Sequence, residues 1–200
     1  MNKAQILEYL HEQIDIHVRC GYQSEDEVME TIEEQVRDEF RESGDGAVEP
    51  LLAEARQRMA VQKKKEETWT ERTANDRLDV AFAALEARGI VALQDAGYTM
   101  SDGWSDVAEA RDYPSDAWGA TFFHRQDVER GVQGDGLNLA YGAFVEGDQH
   151  EPESIRLGHE ICEVLRAHGV EVEWNGSINT RIQVLPFEWK KRRWTIAPPA

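Results

Sequence analysis

A chain of 200 residues with 39 acidic and 22 basic side chains carries a formal charge of −17. That length suits one domain, or a domain with a small companion, and the acidity argues against general binding to a phosphate backbone, which needs a basic surface. With 40% hydrophobic residues the chain is too apolar for wholesale disorder, yet no apolar run approaches the ~20 residues that span a bilayer.

Met1 to Gln13 has charges among its first dozen positions and no long apolar centre, so no secretory signal is expected. Cys20 and Cys162 lie far apart and in no metal or redox motif, the pattern of a cytoplasmic protein with free thiols. The charge is uneven. Residues 1–60 hold 15 acids and 6 bases, and residues 73–160 hold 17 acids and 6 bases, whereas residues 161–200 hold 4 acids and 6 bases. Five of the six lysines fall in two islands, Lys63-Lys64-Lys65 and Lys190-Lys191, the second continuing as Arg192-Arg193.

In chain order, Ile6, Leu7, Leu10, Ile14 and Val18 recur at helical intervals, and Gly21 stops that helix. Ser24 with Glu27 is a capping box, each side chain satisfying a free backbone N–H at the start of the next helix. That helix carries Val28, Ile32, Val36 and Phe40 in a narrow stripe and ends at Ser43-Gly44-Asp45-Gly46. A third helix fits Glu49 to Glu67, with Pro50 in its first turn where a missing N–H costs nothing. These predict a helical N-terminal unit over 1–67, an antiparallel three-helix arrangement. Its stripes are thin for an independent fold, which suggests packing on the rest of the chain or on a second copy.

A polar linker, 68–75, precedes an α+β domain over 76–196. Asp76 to Arg88 reads as a helix with Leu78, Ala81, Phe82 and Leu85 on one face, Gly89 as its stop, and Ile90 to Leu93 as a short buried strand. The same device recurs where a helix carrying Ile155, Gly158, Ile161, Cys162 and Leu165 ends at His168-Gly169 and Val170 to Trp174 alternates as a strand. Gly119 to His124 and Leu137 to Val145 are further strands. Both faces of the second are small or apolar, so it is expected at the centre of the sheet. For the last hairpin, a five-residue loop over Asn175 to Asn179 pairs Val172 with Ile182 and Glu173 with Arg181, which keeps one face apolar and matches charges on the other. The fold class expected is α+β: an N-terminal three-helix unit followed by a mainly antiparallel sheet of about five strands with flanking helices.

Chemistry-bearing residues gather in two stretches. Gln94 to Trp118 reads as a loop in which Tyr98, Trp104, Tyr113 and Trp118 stand among acids including Asp102. Aromatics so placed either anchor the loop or stack on a ligand. Phe122 to Arg130 reads as a strand running into a helix start, where His124 is either a general base oriented by a carboxylate or part of a structural ion-pair cluster, and Asp127 is equally well placed as the helix N-cap. His159 and Glu163 have half the spacing of a metalloprotease helix, but Glu163 stands where a second histidine belongs, and both lie more than about 100° from the apolar stripe. His150, His159 and His168 point to opposite helix sides in turn. No phosphate loop, dinucleotide glycine fingerprint, serine elbow or EF-hand loop occurs. No metal and no cofactor is therefore expected.

The motifs Gly97-Tyr98-Thr99-x-Ser101-Asp102-Gly103, Phe123-His124-x-Gln126-Asp127-x-Glu129-Arg130, Gly136-Leu137-x-Leu139-Ala140-Tyr141-Gly142 and Glu173-Trp174-Asn175-Gly176, with Arg181-Ile182 and a basic end, together resemble an uncharacterised bacterial family, the domain of unknown function 6891 family, over roughly residues 76–194. Some members carry cysteines in the loop where this chain has Gly97-Tyr98, a departure that weakens any metal site there. The resemblance implies that the loop and the His124 segment belong to one recurrent architecture. It implies no reaction, cofactor or catalytic residue.

Three functional readings remain open. The first is a non-catalytic cytoplasmic binding or regulatory module acting through contacts with a protein partner or a second copy of itself. The second is an enzyme with a site between the Tyr98–Trp104 loop and His124–Asp127, acting on a small or nucleotide-like substrate, with Tyr98, Asp102, Trp104, His124, Asp127 and Tyr141 as candidate ligand-binding residues. The third, disfavoured by the acidity, is nucleic-acid binding through Lys190 to Arg193 beside Trp189 and Trp194. Charge segregation also predicts that this basic end packs on acidic surface.

Overall fold

The computed structural model describes residues 3–40, 48–111 and 116–195. The chain divides into two compact units. One comprises the residues up to Thr73 together with the segment from Lys190, and the other runs from Ala74 to Trp189.

The first unit is helical: α1 (Lys3–Cys20), α2 (Glu25–Glu39) and α3 (Val48–Glu66). Ser24 accepts from the Glu27 N–H at 3.3 Å while Glu27 Oε2 accepts from the Ser24 N–H at 2.7 Å, so the capping box read from the sequence starts α2. The expected turn at Ser43 to Gly46 lies outside the described residues. The narrow stripes meet in one core, where Leu10, Ile14, Val28, Ile32, Leu51 and Met59 are buried against one another and Trp194 packs alongside. Each such side chain contributes roughly 1.5–3 kcal/mol by leaving water.

The chain's last described stretch, Lys190 to Thr195, closes this unit. Glu66, only 1% exposed, ends α3. Its carboxylate accepts from the backbone N–H groups of Arg193 (2.9 Å), Trp194 (2.8 Å) and Thr195 (2.6 Å) and from the Thr195 hydroxyl (2.8 Å). The Arg193 guanidinium donates to the carbonyls of His17 (2.9 Å), Val18 (2.8 Å) and Gln23 (2.7 Å). Two of those carbonyls are in the last turn of α1, where helix geometry leaves acceptors without partners and the dipole favours a cation. Arg192 donates to Trp69 O and Glu71 O, and the Lys191 ammonium lies over the Tyr22 ring. The basic end docks on backbone carbonyls and also on two carboxylates: Glu66 binds the segment's N–H groups and the Thr195 hydroxyl, and Glu25 accepts from the Trp194 indole N–H at 2.6 Å.

The second unit contains α4 (Ala74–Glu86), β1 (Ile90–Leu93), α5 (Met100–Arg111), β2 (Gly119–Phe122), α6 (Arg125–Gln133), β3 (Leu137–Ala143), α7 (His150–Ala167), β4 (Val172–Glu173) and β5 (Ile182–Val184). The five strands form one sheet in the order β1-β2-β3-β5-β4, with β1 and β2 parallel and every other pairing antiparallel. This is the α+β, mainly antiparallel architecture expected, with β3 at its centre. Helix α5 lies on Val91, Leu93, Ala120, Phe122 and Ala140. On the other face Leu157 of α7 covers Gly119, and Phe82 of α4 meets Phe123 edge-on at 5.5 Å. No helix among the described residues is long and apolar enough to cross a membrane, and both cysteines are free and buried.

Two local expectations are corrected. The stretch after β1 is not a loop throughout, because α5 occupies Met100 to Arg111. Thr99 and Asp102 cap that helix: the Asp102 carboxylate accepts from the Thr99 N–H and hydroxyl, both at 2.9 Å, and a hydroxyl-x-x-carboxylate box outweighs the cost of Gly103 inside the helix. Gly103 is there for room, since a Cβ would sit 2.2 Å from the Phe122 ring. The last hairpin is also longer than expected. Val172 pairs with Val184 and Glu173 with Gln183, two residues further along β5 than the five-residue loop requires. A two-residue slide preserves the apolar and polar faces, so the alternation alone does not distinguish the registers. The connecting loop decides: Trp174 Nε1 donates to Ser177 O (3.2 Å) and Thr180 O (3.3 Å), and Asn175 Oδ1 accepts from the Ser177 N–H and the Thr180 hydroxyl.

Candidate functional site

Parallel strands β1 and β2 end side by side, and the chain leaves both through turns bonded to each other. The Ala96 N–H donates to Phe123 O and the Arg125 N–H to Gly97 O, each at 3.0 Å. To make this turn Asp95 adopts φ 57°, the one positive φ outside glycine among the described residues. Aspartate tolerates that region better than most residues. Its side chain is buried and bonded by Arg125 at 2.6 Å. Burial raises the Asp95 carboxyl to about 6; Arg125 opposes that shift and Glu129 adds to it. A carboxyl raised in the folded state binds its proton more tightly there than in the unfolded chain, so stability falls as pH rises from about 4 to about 6 and is level above. Asp95→Asn removes this slope, worth up to ~3 kcal/mol, in urea melts run across that range. Identical slopes in the two proteins contradict the assignment.

At the end of β2, His124 precedes α6 and is 5% exposed. Asp127 is not the helix N-cap. It stands in the first turn, and its Oδ2 accepts from the His124 N–H at 3.4 Å. A carboxylate there faces the positive end of the helix dipole. The same Oδ2 receives Arg181 Nη1 at 2.9 Å and lies 3.2 Å from His124 Nε2. Burial lowers the His124 pKa below its ordinary value, Asp127 opposes that and Arg181 reinforces it, so the imidazole is neutral at neutral pH. A neutral ring whose Nε2 faces a carboxylate oxygen carries its proton on Nε2. His124 Nδ1 and Asp127 Oδ1 are buried and find no hydrogen-bond partner among the described residues. Such orphaned groups cost about 1–3 kcal/mol each.

Arg181 connects this cluster to open surface. Nη1 makes all its bonds, to Asp127 and to Asn138 O (3.3 Å), and also lies 3.4 Å from His124 Nε2, while Nε and Nη2 bond to no described residue. The side chain is 34% exposed and lines a shallow, solvent-open cleft of about 530 Å³ over β4 and β5, with Arg166, Glu173, Trp174, Thr180 and Gln183. Trp174 is fixed from behind. Its ring seats on Gly158, where a Cβ would come within 2.6 Å, and meets Tyr141 and His159 edge-on at 5.4 and 5.1 Å.

The structure brings together His124 and Asp127, and Asp102 is near enough to act on the His124 charge. Tyr98 is 55% exposed, away from any aromatic partner described. Trp104 meets Phe122 edge-on at 5.1 Å and anchors α5. Tyr141 donates to Ser177 O at 2.9 Å and braces the Trp174 loop. Tyr113 lies outside the described residues. Sequence reasoning did not select Arg181, Arg166, Glu173 or Gln183. The usable signal was the alternation of polar residues in β5, which puts Arg181 and Gln183 on one face. Among the described residues no group of three or more His, Cys, Asp or Glu side chains is arranged to hold a metal ion.

No curated protein and no solved structure matches the chain. The family described as Domain of unknown function (DUF6891) matches residues 3–193, which is wider than the motif resemblance and takes in the helical unit as far as Arg193. The chain belongs to that family.

Proposed function

We propose that this protein is a non-catalytic binding module of the bacterial cytoplasm, which takes a segment of a partner protein, or of a second copy, in the cleft over β4 and β5. One observation carries the reading. This part of the sheet presents Glu173, Gln183 and Arg181 as a polar surface, beside a tryptophan locked by its own loop. Fixed aromatic and arginine groups bind at low ordering cost. Nucleic acid fits poorly, because Arg192 and Arg193 spend their donors on carbonyls of the helical unit.

A second reading, acid–base chemistry at His124, has the ring oriented by Asp127 but its unpaired Nδ1 buried, so a substrate reaches it only if the covering residues move. Affinity capture with the full chain separates the two. A species identified by mass spectrometry, confirmed with purified material and lost with Glu173→Arg/Gln183→Arg at unchanged thermal stability, supports the module. Equal capture by the variant contradicts it, and turnover abolished by His124→Gln favours the enzyme.

A further inference from the structure

We infer that Arg181 and Arg166 form an oxyanion site in the cleft over β4 and β5, taking a carboxylate or phosphate group; the inference rests on the cleft being the binding surface. A guanidinium binds such groups best through two parallel N–H donors held in place before the ligand arrives. Arg181 meets both conditions. The buried Asp127 carboxylate and the Asn138 carbonyl fix it through Nη1 alone. Its other edge, Nε and Nη2, keeps two adjacent donors unspent in a side chain that lines the cleft.

Arg166 supplies the second cation. Its Nη2 donates to Val172 O at 3.1 Å, which holds it over β4, and it has no carboxylate partner among the described residues. Gln183 projects from β5 on the same face as Glu173, with which it pairs in the ladder. The Trp174 ring forms a wall. In a chain of net charge −17, two guanidinium groups in one cleft stand out against the general field. Asp127 and Glu173 offset their charge. The site therefore selects by donor geometry more than by net charge, and a single carboxylate or a phosphate monoester group fits it better than a polyanion.

The Trp174 indole N–H reports occupancy by NMR in the full chain at pH 7, assigned by its loss in Trp174→Phe. Inorganic phosphate and succinate are the probes. A saturable shift with an apparent Kd on the order of 1 mM, weakened about tenfold or more in Arg166→Gln and in Arg181→Lys, supports the site. The tighter probe then identifies phosphate or carboxylate as the natural group. Arg181→Lys keeps a cation for Asp127 while removing the fork, and Arg166→Gln leaves the buried cluster untouched, so a folded variant is in hand either way. No saturable shift in the wild-type chain, or the same titration in Arg166→Gln, overturns the inference. Captured partners that depend on Glu173 and Gln183 while neither anion binds would overturn the oxyanion site and leave the binding module standing.

Discussion

Glu66→Ala is expected to cost the helical unit roughly 3–5 kcal/mol. One nearly inaccessible carboxylate accepts three backbone N–H groups and a hydroxyl, and all four lose their partner at once. The loss spreads. Without Glu66 the segment 193–195 keeps only its side-chain ties, Arg193 to the end of α1 and Trp194 to Glu25, and the loosening reaches Met59, which Arg193 Nη1 touches at 2.9 Å. Urea melts followed by circular dichroism measure the effect, with Glu67→Ala as the comparison, since Glu67 is exposed and expected to matter by less than about 0.5 kcal/mol. A Glu66→Ala chain within about 1 kcal/mol of wild type would contradict this account of the carboxylate.

Asp127→Ala is expected to destabilise the α+β unit by a similar amount, roughly 3–5 kcal/mol, because removing one partner of a buried charge pair leaves the other uncompensated. Arg181 loses its closest acceptor, and His124 loses the group that orients its ring. Asp127 also raises the His124 pKa against burial, so its removal moves the His124 titration to lower pH. Two readouts therefore follow from one substitution: a lower urea midpoint and a lower pH midpoint in the titration of the His124 ring resonances. Asp102→Ala is the control. That exposed carboxylate caps α5, and its loss costs much less than that of the buried Asp127. Equal effects of the two substitutions would mean that Asp127 acts only as a cap.

Much of the fold was legible because its elements are locally consistent. Helical stripes, the Ser24–Glu27 box and Gly21, Gly89 and Gly169 as helix stops are signals carried within a few residues, and each appears in the structure. The apolar character of both faces of β3 placed it at the centre. Helix α5 was missed although Thr99-x-x-Asp102 is a capping box of the same kind. Gly97 and Gly103 flank it, and glycine reads as loop until Phe122 shows why Gly103 must be small. The hairpin slid by two residues because alternation has period two and the loop's own hydrogen bonds set its length. Of the site, His124 and Asp127 were legible as neighbours on one turn. Arg181 was not, since it joins them from 54 residues away, and neither was the Glu66 link to Arg193, 127 residues apart. Pairings at that separation follow from topology, which local pattern does not encode.

A buried carboxylate holds Arg181 ready for the cleft. A double-mutant cycle of Asp127→Asn and Arg181→Gln, measured by urea unfolding, isolates that link. A coupling of about 1.5–3 kcal/mol is expected, as for a hydrogen-bonded charged pair. Additive effects, within about 0.5 kcal/mol, would show that Asp127 does not position Arg181 and would contradict it.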